Sequence, residues 1–497
     1  MPTSHKLLAK NTAWNLIGQL APLFAAFFAI PLLVSALGIH RFGVLTLAWV
    51  VIGYFSLFDF GIGRALTKAV ADRLGSGRIA EIPALIWSAM AIMVLLGVCG
   101  GAVVGVLSPW LVQRVLEIPL ALHRETLNTF LLLAVSLPIV ITTAGLRGVL
   151  EAYQRFDLIN LIRIPMGLFT FLGPLLVLPF SNNLALVVAV LVIGRLIAWA
   201  AHLAFCIHAV PELRRRMVVR PDLLGPLFRF GGWLTLSNVV GPVIVYLDRF
   251  LIGAVLSVAA VGYYTAPYEI VTKLLLIPAA LTAVLFPAFT AGLVAHPEHT
   301  RGLFVRGVKV IFLLLFPLAL VFVTFAHEGL QFWLGPEFAL NGGRVLQWLA
   351  AGMFVNSLAQ VALTMVQAAG RPDLAAKLHL AELPFYSILL WLLTVRIGIE
   401  GAAIAWTLRA GVDMVFLFWF VKGILPVFST MAYSMLAVLL MSLAVLIVAA
   451  LLTGILIKVL FTLLVLGAFA LVGWMVIVSA GERNFVESWL RGWLGRA

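Results

Sequence analysis

Charged residues are scarce in this sequence, and the motifs of soluble enzymes are absent from it. Only 11% of the 497 residues are charged and 63% are apolar, whereas a soluble domain is about half apolar and a quarter charged. No Walker A, GxSxG or HExxH motif occurs, and the longest polar connectors, 108–124 and 210–225, are too short to fold alone. These absences exclude a soluble enzyme, a disordered chain and a receptor with large domains outside a membrane.

Cysteine is almost absent, with two residues in the whole sequence. Cys99 and Cys206 both lie within long apolar runs, so we expect buried core thiols rather than a disulfide or a metal pair. The sequence therefore predicts no metal and no other cofactor.

Long apolar runs make up most of the chain. A helix that crosses about 30 Å of hydrocarbon needs roughly 20 residues, and the breaks between the runs predict an all-α integral membrane protein with about fourteen such helices. A count of twelve or thirteen follows if a late pair is interfacial. The predicted spans are 11–36, 43–69, 82–107, 126–148, 158–180, 184–208, 227–256, 259–291, 307–326, 343–369, 374–396, 400–421, 430–453 and 458–479.

Positive charge is in excess, with 33 Lys and Arg against 20 Asp and Glu. In a membrane protein this excess collects in cytoplasmic loops, so it indicates topology rather than a nucleic-acid partner. Most cations fall in one set of alternate loops, including 214–216, together with both ends of the chain. The opposite loops hold few, such as Arg114 and Lys458. We therefore expect both termini in the cytoplasm.

A weak internal repeat appears when the chain is shifted by 219 positions. The shift aligns Trp14 with Trp233, Leu37 with Leu256, Gly43 with Gly262 and Thr46 with Thr265. Six helices separate the copies, so the copies share an orientation and a pseudo-twofold axis would run along the membrane normal. The predicted parts are a first lobe (1–210), a cytoplasmic linker (211–225), a second lobe (226–425), a peripheral helix pair (426–480) and an amphipathic helix on the inner leaflet (481–497).

Several stretches in a fixed order carry a family resemblance. They are SALGIHRFGVLTL, FSLFDFGIGRALTKAVA, NVVGPVIVYLDRFLIG, VGYYTAPYEIVTK, LTAVLFPAF, WLGPEFALNGGRVLQWL and MVQAAGRPDLAAK. Over roughly residues 7 to 425 the chain resembles the polysaccharide transporter family, the lipid-linked oligosaccharide flippases of the multidrug/oligosaccharidyl-lipid/polysaccharide (MOP) exporter superfamily. The resemblance implies two six-helix lobes around a central cavity, with helices one and seven facing it, and an extra helix pair.

The resemblance also implies a function. A flippase of this kind moves an undecaprenyl-diphosphate-linked oligosaccharide from the inner to the outer leaflet of the bacterial cytoplasmic membrane by alternating access, for O-antigen or exopolysaccharide biosynthesis. It is not an enzyme, and its drive would come from an ion gradient or from removal of product. Membrane lipids and a polysaccharide polymerase or export complex are the implied partners.

Ionisable residues inside the spans are the candidate functional residues, since each costs at least about 2.5 kcal/mol to insert. A diphosphate needs cations, and arginine can bind phosphate oxygens with two parallel hydrogen bonds. The candidate substrate-binding residues are Arg64, Arg195, Arg249, Lys273 and Arg409. The candidate ion-coupling residues are Asp59, Asp248, Glu269 and Asp413. The candidate sugar-binding residues are Asn15, Gln19, Asn238, Tyr246, Tyr264, Gln360 and Gln367.

Two of these charge pairs have helical i,i+4 spacing. Glu269 and Lys273 share one face of the predicted eighth helix, and Arg409 and Asp413 share one face of the twelfth. Each pair is either a structural link that neutralises itself or a pair that opens during transport.

Three other functions remain open at the level of sequence. A drug or cation antiporter of the same superfamily would favour a net acidic cavity, whereas basic groups here at least match acidic ones. A peptidoglycan-precursor flippase would share the architecture. A membrane polysaccharide polymerase or ligase would need a long outer loop with catalytic residues, and 108–124 is short.

Overall fold

The computed structural model describes residues 5–54, 62–214, 217–220, 246–295, 297–425 and 429–473, and all regular structure within them is helical. The chain forms two compact units, Met1–Ala266 and Pro267–Ala497. The predicted linker 211–225 is described only at 211–214 and 217–220, and the predicted terminal helix 481–497 lies wholly outside the described residues. The predicted lobe boundaries therefore stay predictions.

The first unit contains seven long helices in its described part. They are α1 (His5–Tyr54), α2 (Ile62–Gly75), α3 (Ile82–Trp110), α4 (His123–Ala152), α5 (Phe156–Leu175), α6 (Leu184–Ala209) and α7 (246–255). Helix α4 lies against both α3 and α6. The core between them contains Leu85, Met93, Leu146 and Val149, none more than 1% exposed.

The second unit is built around one buried helix. Helix α8 (Val258–Val271) leads from the first unit into a single 3-10 turn, Thr272–Leu275. The helices that follow are α9 (Leu276–Ala295), α10 (Pro297–Thr324), α11 (Ala326–Leu334), α12 (Pro336–Ala368), α13 (Pro372–Ile397), α14 (Ile399–Ile424), α15 (Ser429–Leu451) and α16 (Ile455–Val472). Helix α12 packs against α9, α10, α11 and α14, which places it at the centre of the unit.

The chain is an all-α integral membrane protein. Eleven stretches in the described residues are long and apolar enough to cross a membrane, and Leu436–Leu451 is a shorter apolar helix. Their outward faces carry apolar side chains such as Leu95, Val135 and Leu464, which are 61%, 72% and 71% exposed. Such faces suit acyl chains rather than water. Because the predicted spans 43–69, 227–256 and 458–479 are only partly described, the count of fourteen stays a prediction.

The first predicted turn lies inside α1. Gly38 there has φ +74° and ψ 162°, values that a residue without Cβ adopts at little cost, and the helix direction breaks at this residue. The second half of α1 begins beyond it, which confirms the predicted break between the first two spans.

The 219-residue repeat has a direct structural counterpart in the first unit. A Cβ added to Gly43 would overlap the carbonyl oxygen of Val258, and one added to Gly262 would lie 2.7 Å from Ile39 Cδ1. Val258 and Gly262 are the positions that the shift aligns with Ile39 and Gly43. Gly43 therefore contacts Val258, and Gly262 contacts Ile39, the residue equivalent to Val258 in the other repeat. Such a reciprocal pair of contacts is typical of a twofold axis.

The two cysteines differ from each other. Cys206 is buried, as predicted, and its thiol donates to the carbonyl oxygen of Leu146 at 3.2 Å, but Cys99 is exposed. The prediction for Cys99 was wrong because an apolar run in a membrane helix includes its lipid-facing side, where a small side chain has no protein neighbour.

Helix α16 packs within the second unit through an ion pair and aromatic contacts. Lys458 of α16 donates to both carboxylate oxygens of Glu328 on α11, at 2.8 and 3.0 Å. The ring of Phe469 lies 5.7 Å from that of Phe312 and 4.9 Å from that of Phe316, both on α10. Helix α16 is therefore fixed at both of its ends.

Candidate functional site

The largest buried charge cluster in the described residues lies between α13 and α14. Gly398, with φ +74°, separates these two helices and turns the chain back on itself. A Cβ at Gly401 would overlap the carbonyl oxygen of Leu393, so the two helices approach closely beside the turn. His379 and Glu382 share one face of α13 by their spacing, as Arg409 and Asp413 do on α14. The close helix pair places these two faces together.

The four side chains form ion pairs across the helix interface. Arg409 Nη1 lies 3.7 Å from Glu382 Oε2, and His379 Nε2 lies 3.3 Å from Asp413 Oδ1. Glu382 and Asp413 are only 7% and 6% exposed. The guanidinium of Arg409 also lies 5.6 Å from the ring centre of Tyr386, a cation–π distance. We call these four residues the α13–α14 charge cluster.

Three of the four carboxylate oxygens of this cluster lack hydrogen bonds within the described part of the chain. Within the described residues, both oxygens of Glu382 and Oδ1 of Asp413 have no hydrogen-bond partner. A buried carboxylate without donors is costly, and taking up a proton or another cation reduces that cost. One ligand atom from each of His379, Glu382 and Asp413, a ring nitrogen or a carboxylate oxygen, lies within 4.8 Å of the other two. A single small cation can therefore reach all three. Arg409 already supplies one positive charge there, which favours a monovalent occupant.

The pairing within this cluster differs from the i,i+4 pairing predicted for Arg409 and Asp413. The structure gives Arg409 a partner in Glu382 and Asp413 a partner in His379, both on the neighbouring helix. The reason is that both side chains point into the interface, where the carboxylate and imidazole of α13 are the nearest opposite charges. Glu382 and His379 were missed as site residues, although their i,i+3 spacing at a matching depth was a usable signal.

A second buried charged site lies in the first unit, at Asp248 and Arg249. Asp248 Oδ2 accepts a hydrogen bond from the Tyr264 hydroxyl at 2.7 Å, and Oδ1 accepts one from the backbone N–H of Arg249 at 2.7 Å. Arg249 is 1% exposed, and its guanidinium lies 4.5 Å from the ring centre of Tyr246. Both tyrosines were predicted to bind sugars, and here they contact these two charged residues.

Glu269 and Lys273 form the predicted i,i+4 pair. Lys273 Nζ lies 3.3 Å from Glu269 Oε2, and the side chains are 36% and 27% exposed. The 3-10 turn Thr272–Leu275 begins between them, and the Thr272 hydroxyl donates to the carbonyl oxygen of Glu269 at 3.1 Å. The pairing is confirmed, while its role in transport stays a prediction.

The two remaining arginine candidates, both described, do not join these sites. Arg195 on α6 is half-buried and makes no ion pair or hydrogen bond with another residue of the described part. Arg64 is exposed near the start of α2. Asp59 lies outside the described residues. The predicted set thus divides into the α13–α14 cluster, the Glu269–Lys273 pair, the Asp248–Arg249 site and isolated arginines.

Known proteins similar to this chain agree with this architecture. Among the solved structures that match at 14% identity are an inward-facing multidrug resistance MATE family transporter of the MOP superfamily (TM-score 0.68, 82% of this chain and 98% of that one) and the lipid II flippase MurJ in an inward closed conformation (TM-score 0.64, 94% and 99%). At this identity they show the fold alone, which this chain shares with these two transporters.

Sequence relatives identify the family. The chain is 28% identical over 412 residues to a putative O-antigen transporter of Shigella flexneri, covering 83% of this chain and 97% of the relative. The name of this relative is that of a transporter, in agreement with the prediction that the chain is not an enzyme. The family model described as polysaccharide biosynthesis protein matches residues 8–292, more than half of the chain. The predicted resemblance is confirmed, and the chain belongs to the polysaccharide biosynthesis protein family.

Proposed function

We propose that this protein is a flippase that moves a lipid-linked saccharide across the bacterial cytoplasmic membrane for surface polysaccharide synthesis. The observation that carries the proposal is the similarity to a putative O-antigen transporter over 97% of that relative's length. The cargo is an undecaprenyl-diphosphate-linked oligosaccharide, and it passes from the inner to the outer leaflet by alternating access. Both termini lie in the cytoplasm, and a polysaccharide polymerase collects the product outside.

The diphosphate of such a cargo requires cations with spare hydrogen-bonding capacity. Arg195 is a strong candidate because it is half-buried within a membrane span and makes no ion pair or hydrogen bond within the described chain. A membrane-embedded guanidinium in that state is costly until an anion binds. Lys273 is a weaker candidate, since it already pairs with Glu269.

The α13–α14 charge cluster is the proposed ion-coupling site. Among the predicted carboxylates that the structure describes, Asp413 has a buried oxygen without a hydrogen-bond partner. Both carboxylate oxygens of the neighbouring Glu382 also lack hydrogen bonds in the described chain. Uptake of a proton or another monovalent cation would weaken the attraction between α13 and α14 and so link occupancy to conformation. Each charge moved across 100 mV supplies about 2.3 kcal/mol.

Deletion of the gene and analysis of the lipid-linked saccharides test the proposal. We expect the deletion strain to accumulate the undecaprenyl-diphosphate saccharide on the cytoplasmic side of the membrane and to lose surface polysaccharide. Expression of the wild-type chain should restore export, Arg195→Ala should not, and Arg114→Ala, an exposed arginine of the same unit, should restore it as the control. Unchanged saccharide export with altered drug resistance would contradict the proposal and favour an antiporter.

A further inference from the structure

An open cleft of about 420 Å³ lies between α9 and α12 within the second unit. Its described lining comprises Leu275, Ala279, Thr282, Ala283, Phe286, Gln360, Thr364 and Gln367. None of these side chains is ionisable, in contrast to the α13–α14 charge cluster. The cleft therefore combines apolar surface with neutral hydrogen-bonding groups.

The polar groups form a stripe along α12. Gln360, Thr364 and Gln367 are spaced by four and three residues, so they share one helix face, and Asn356 extends the stripe by one turn. The stripe spans about 16 Å at the rise of an α-helix. Amide side chains that face acyl chains lose hydrogen bonds at a cost of several kcal/mol. The stripe is therefore suited to water or to a ligand that can hydrogen-bond.

The polar groups that line the cleft on α9 and α12 can accept or donate further hydrogen bonds. The Thr364 hydroxyl donates to the carbonyl oxygen of Gln360 at 2.7 Å, and the Thr282 hydroxyl donates to that of Pro278 at 2.8 Å. Both hydroxyl oxygens can still accept. The side-chain amides of Gln360 and Gln367 make no hydrogen bond with another described residue, so each offers both donors and an acceptor.

An aromatic ring lies in the same cleft. Phe286 is 43% exposed, and the neighbouring small residues Ala279 and Ala283 are also exposed, which leaves space beside the ring. A sugar ring presents C–H groups that pack on an aromatic face and hydroxyls that bond to amides at its edge. An acyl chain would leave the amides unbonded, and a cationic drug would find no carboxylate among the described lining residues.

We infer that this cleft binds the saccharide portion of the transported lipid, through the Gln360–Thr364–Gln367 stripe and the Phe286 ring. The inference rests on the proposed flippase function and adds a separate subsite for neutral sugar groups. The described lining of the cleft holds no cation, so the diphosphate would bind elsewhere and the saccharide subsite can be tested apart from it.

The test compares two probes on the purified full-length protein in lipid nanodiscs. The probes are undecaprenyl diphosphate and the undecaprenyl-diphosphate oligosaccharide extracted from the deletion strain. Wild-type protein should bind the glycosylated probe more tightly. The double variant Gln360→Leu/Gln367→Leu should lose about tenfold in affinity for the glycosylated probe and keep its affinity for the bare one, because two hydrogen-bonding groups are lost. Gln331→Leu, an exposed glutamine on α11, is the matched control.

The aromatic contribution is tested separately, so that misfolding of one variant cannot decide the outcome. Phe286→Leu should weaken binding of the glycosylated probe but not of bare undecaprenyl diphosphate. Phe286→Trp should bind the glycosylated probe as the wild type does. Equal affinity of the wild type and of the glutamine and Phe286→Leu variants for the glycosylated probe would overturn the subsite but leave the flippase proposal standing. Failure of the wild type itself to bind the glycosylated probe would overturn the flippase proposal.

Discussion

Each of the two units buries acidic side chains among its helices, but the two sites are bonded very differently. In the first unit, Asp248 is fully buried and receives two hydrogen bonds of 2.7 Å, from Tyr264 and from the backbone. In the second, Glu382 and Asp413 are held only by ion pairs of 3.7 and 3.3 Å. Three of their four oxygens have no hydrogen bond in the described part of the chain.

We interpret this difference as one between a structural role and a functional role. Two hydrogen bonds to its carboxylate oxygens hold the Asp248 side chain in one position. A carboxylate with few hydrogen-bond donors nearby can change its protonation state or its ion-pair partner more easily. We therefore infer that Asp248 organises the first unit, while the α13–α14 charge cluster changes state during transport.

Removal of Arg409 should have the largest effect on the difference between the two sites. Arg409→Ala leaves Glu382 buried without its positive partner, and the loss of one member of a buried pair costs about 3–5 kcal/mol. We expect a large fall in the melting temperature of the purified protein. Arg409→Ala/Glu382→Gln should regain most of the stability but not transport. A single variant that melts like the wild type would show that the ion pair contributes nothing to the fold.

Asp413→Asn tests the functional half of the comparison. The variant should fold normally and still flip lipid, but in proteoliposomes an imposed ion gradient should no longer drive accumulation. At 100 mV the expected loss is about fiftyfold for one charge. Proton and sodium gradients are imposed separately to identify the ion. Asp248→Asn serves as the comparison and should keep its gradient dependence, and equal behaviour of the two variants would remove the distinction between the sites.

Tyr264→Phe tests the structural half. It deletes one donor to a buried carboxylate, which costs about 1–3 kcal/mol. We expect a lower melting temperature and a transport rate per folded molecule equal to that of the wild type. A normal melting temperature together with lost transport would assign Tyr264 and Asp248 to the transport mechanism instead.

The ion pair between Lys458 and Glu328 gives the smallest effect and depends on pH. Burial raises the pKa of Glu328. The hydrogen bond and charge of Lys458, together with a backbone hydrogen bond and the charge of His327, outweigh this effect, so the net pKa lies below its ordinary value of 4.5. The pair therefore stabilises the docking of α16 at neutral pH, by about 1 kcal/mol for a partly exposed pair. This contribution is lost as the pH falls through the lowered pKa.

Lys458→Met provides the measurement. The variant should reduce the protection of α16 against amide hydrogen exchange at pH 7, and the difference from the wild type should shrink at low pH. Lys422→Met, an exposed lysine at the end of α14, is the control. Equal protection in Lys458→Met and the wild type at pH 7 would mean that the aromatic contact of Phe469 alone fixes the helix.

Local features of the sequence were sufficient to predict much of the architecture. The apolar runs gave the positions of most membrane spans, because the thickness of a bilayer imposes a minimum helix length whatever the neighbours are. The pairing of Glu269 with Lys273 followed from helical spacing alone. The shift of 219 positions aligned Gly43 with Gly262, and the structure shows that these two glycines make equivalent close contacts in the two repeats.

Other features depended on which helices meet, and no local pattern contains that information. Spacing places Arg409 and Asp413 on one face of α14, but only the packing of α13 against that face brings Glu382 and His379 to them. Lys458 was expected in an outer loop and is instead buried against Glu328, 130 positions away in sequence. The cleft lined by Phe286 and Gln360 likewise depends on how α9 and α12 pack beside each other.

The sequence by itself determined that this protein is a bundle of membrane-spanning helices with charges placed inside it, because hydrophobic length and helical period are properties of single segments. The tertiary structure decided which of those charges are held by hydrogen bonds and which are left loosely paired. That outcome is set by distances between side chains on different helices, and such distances exist only once the helices have packed.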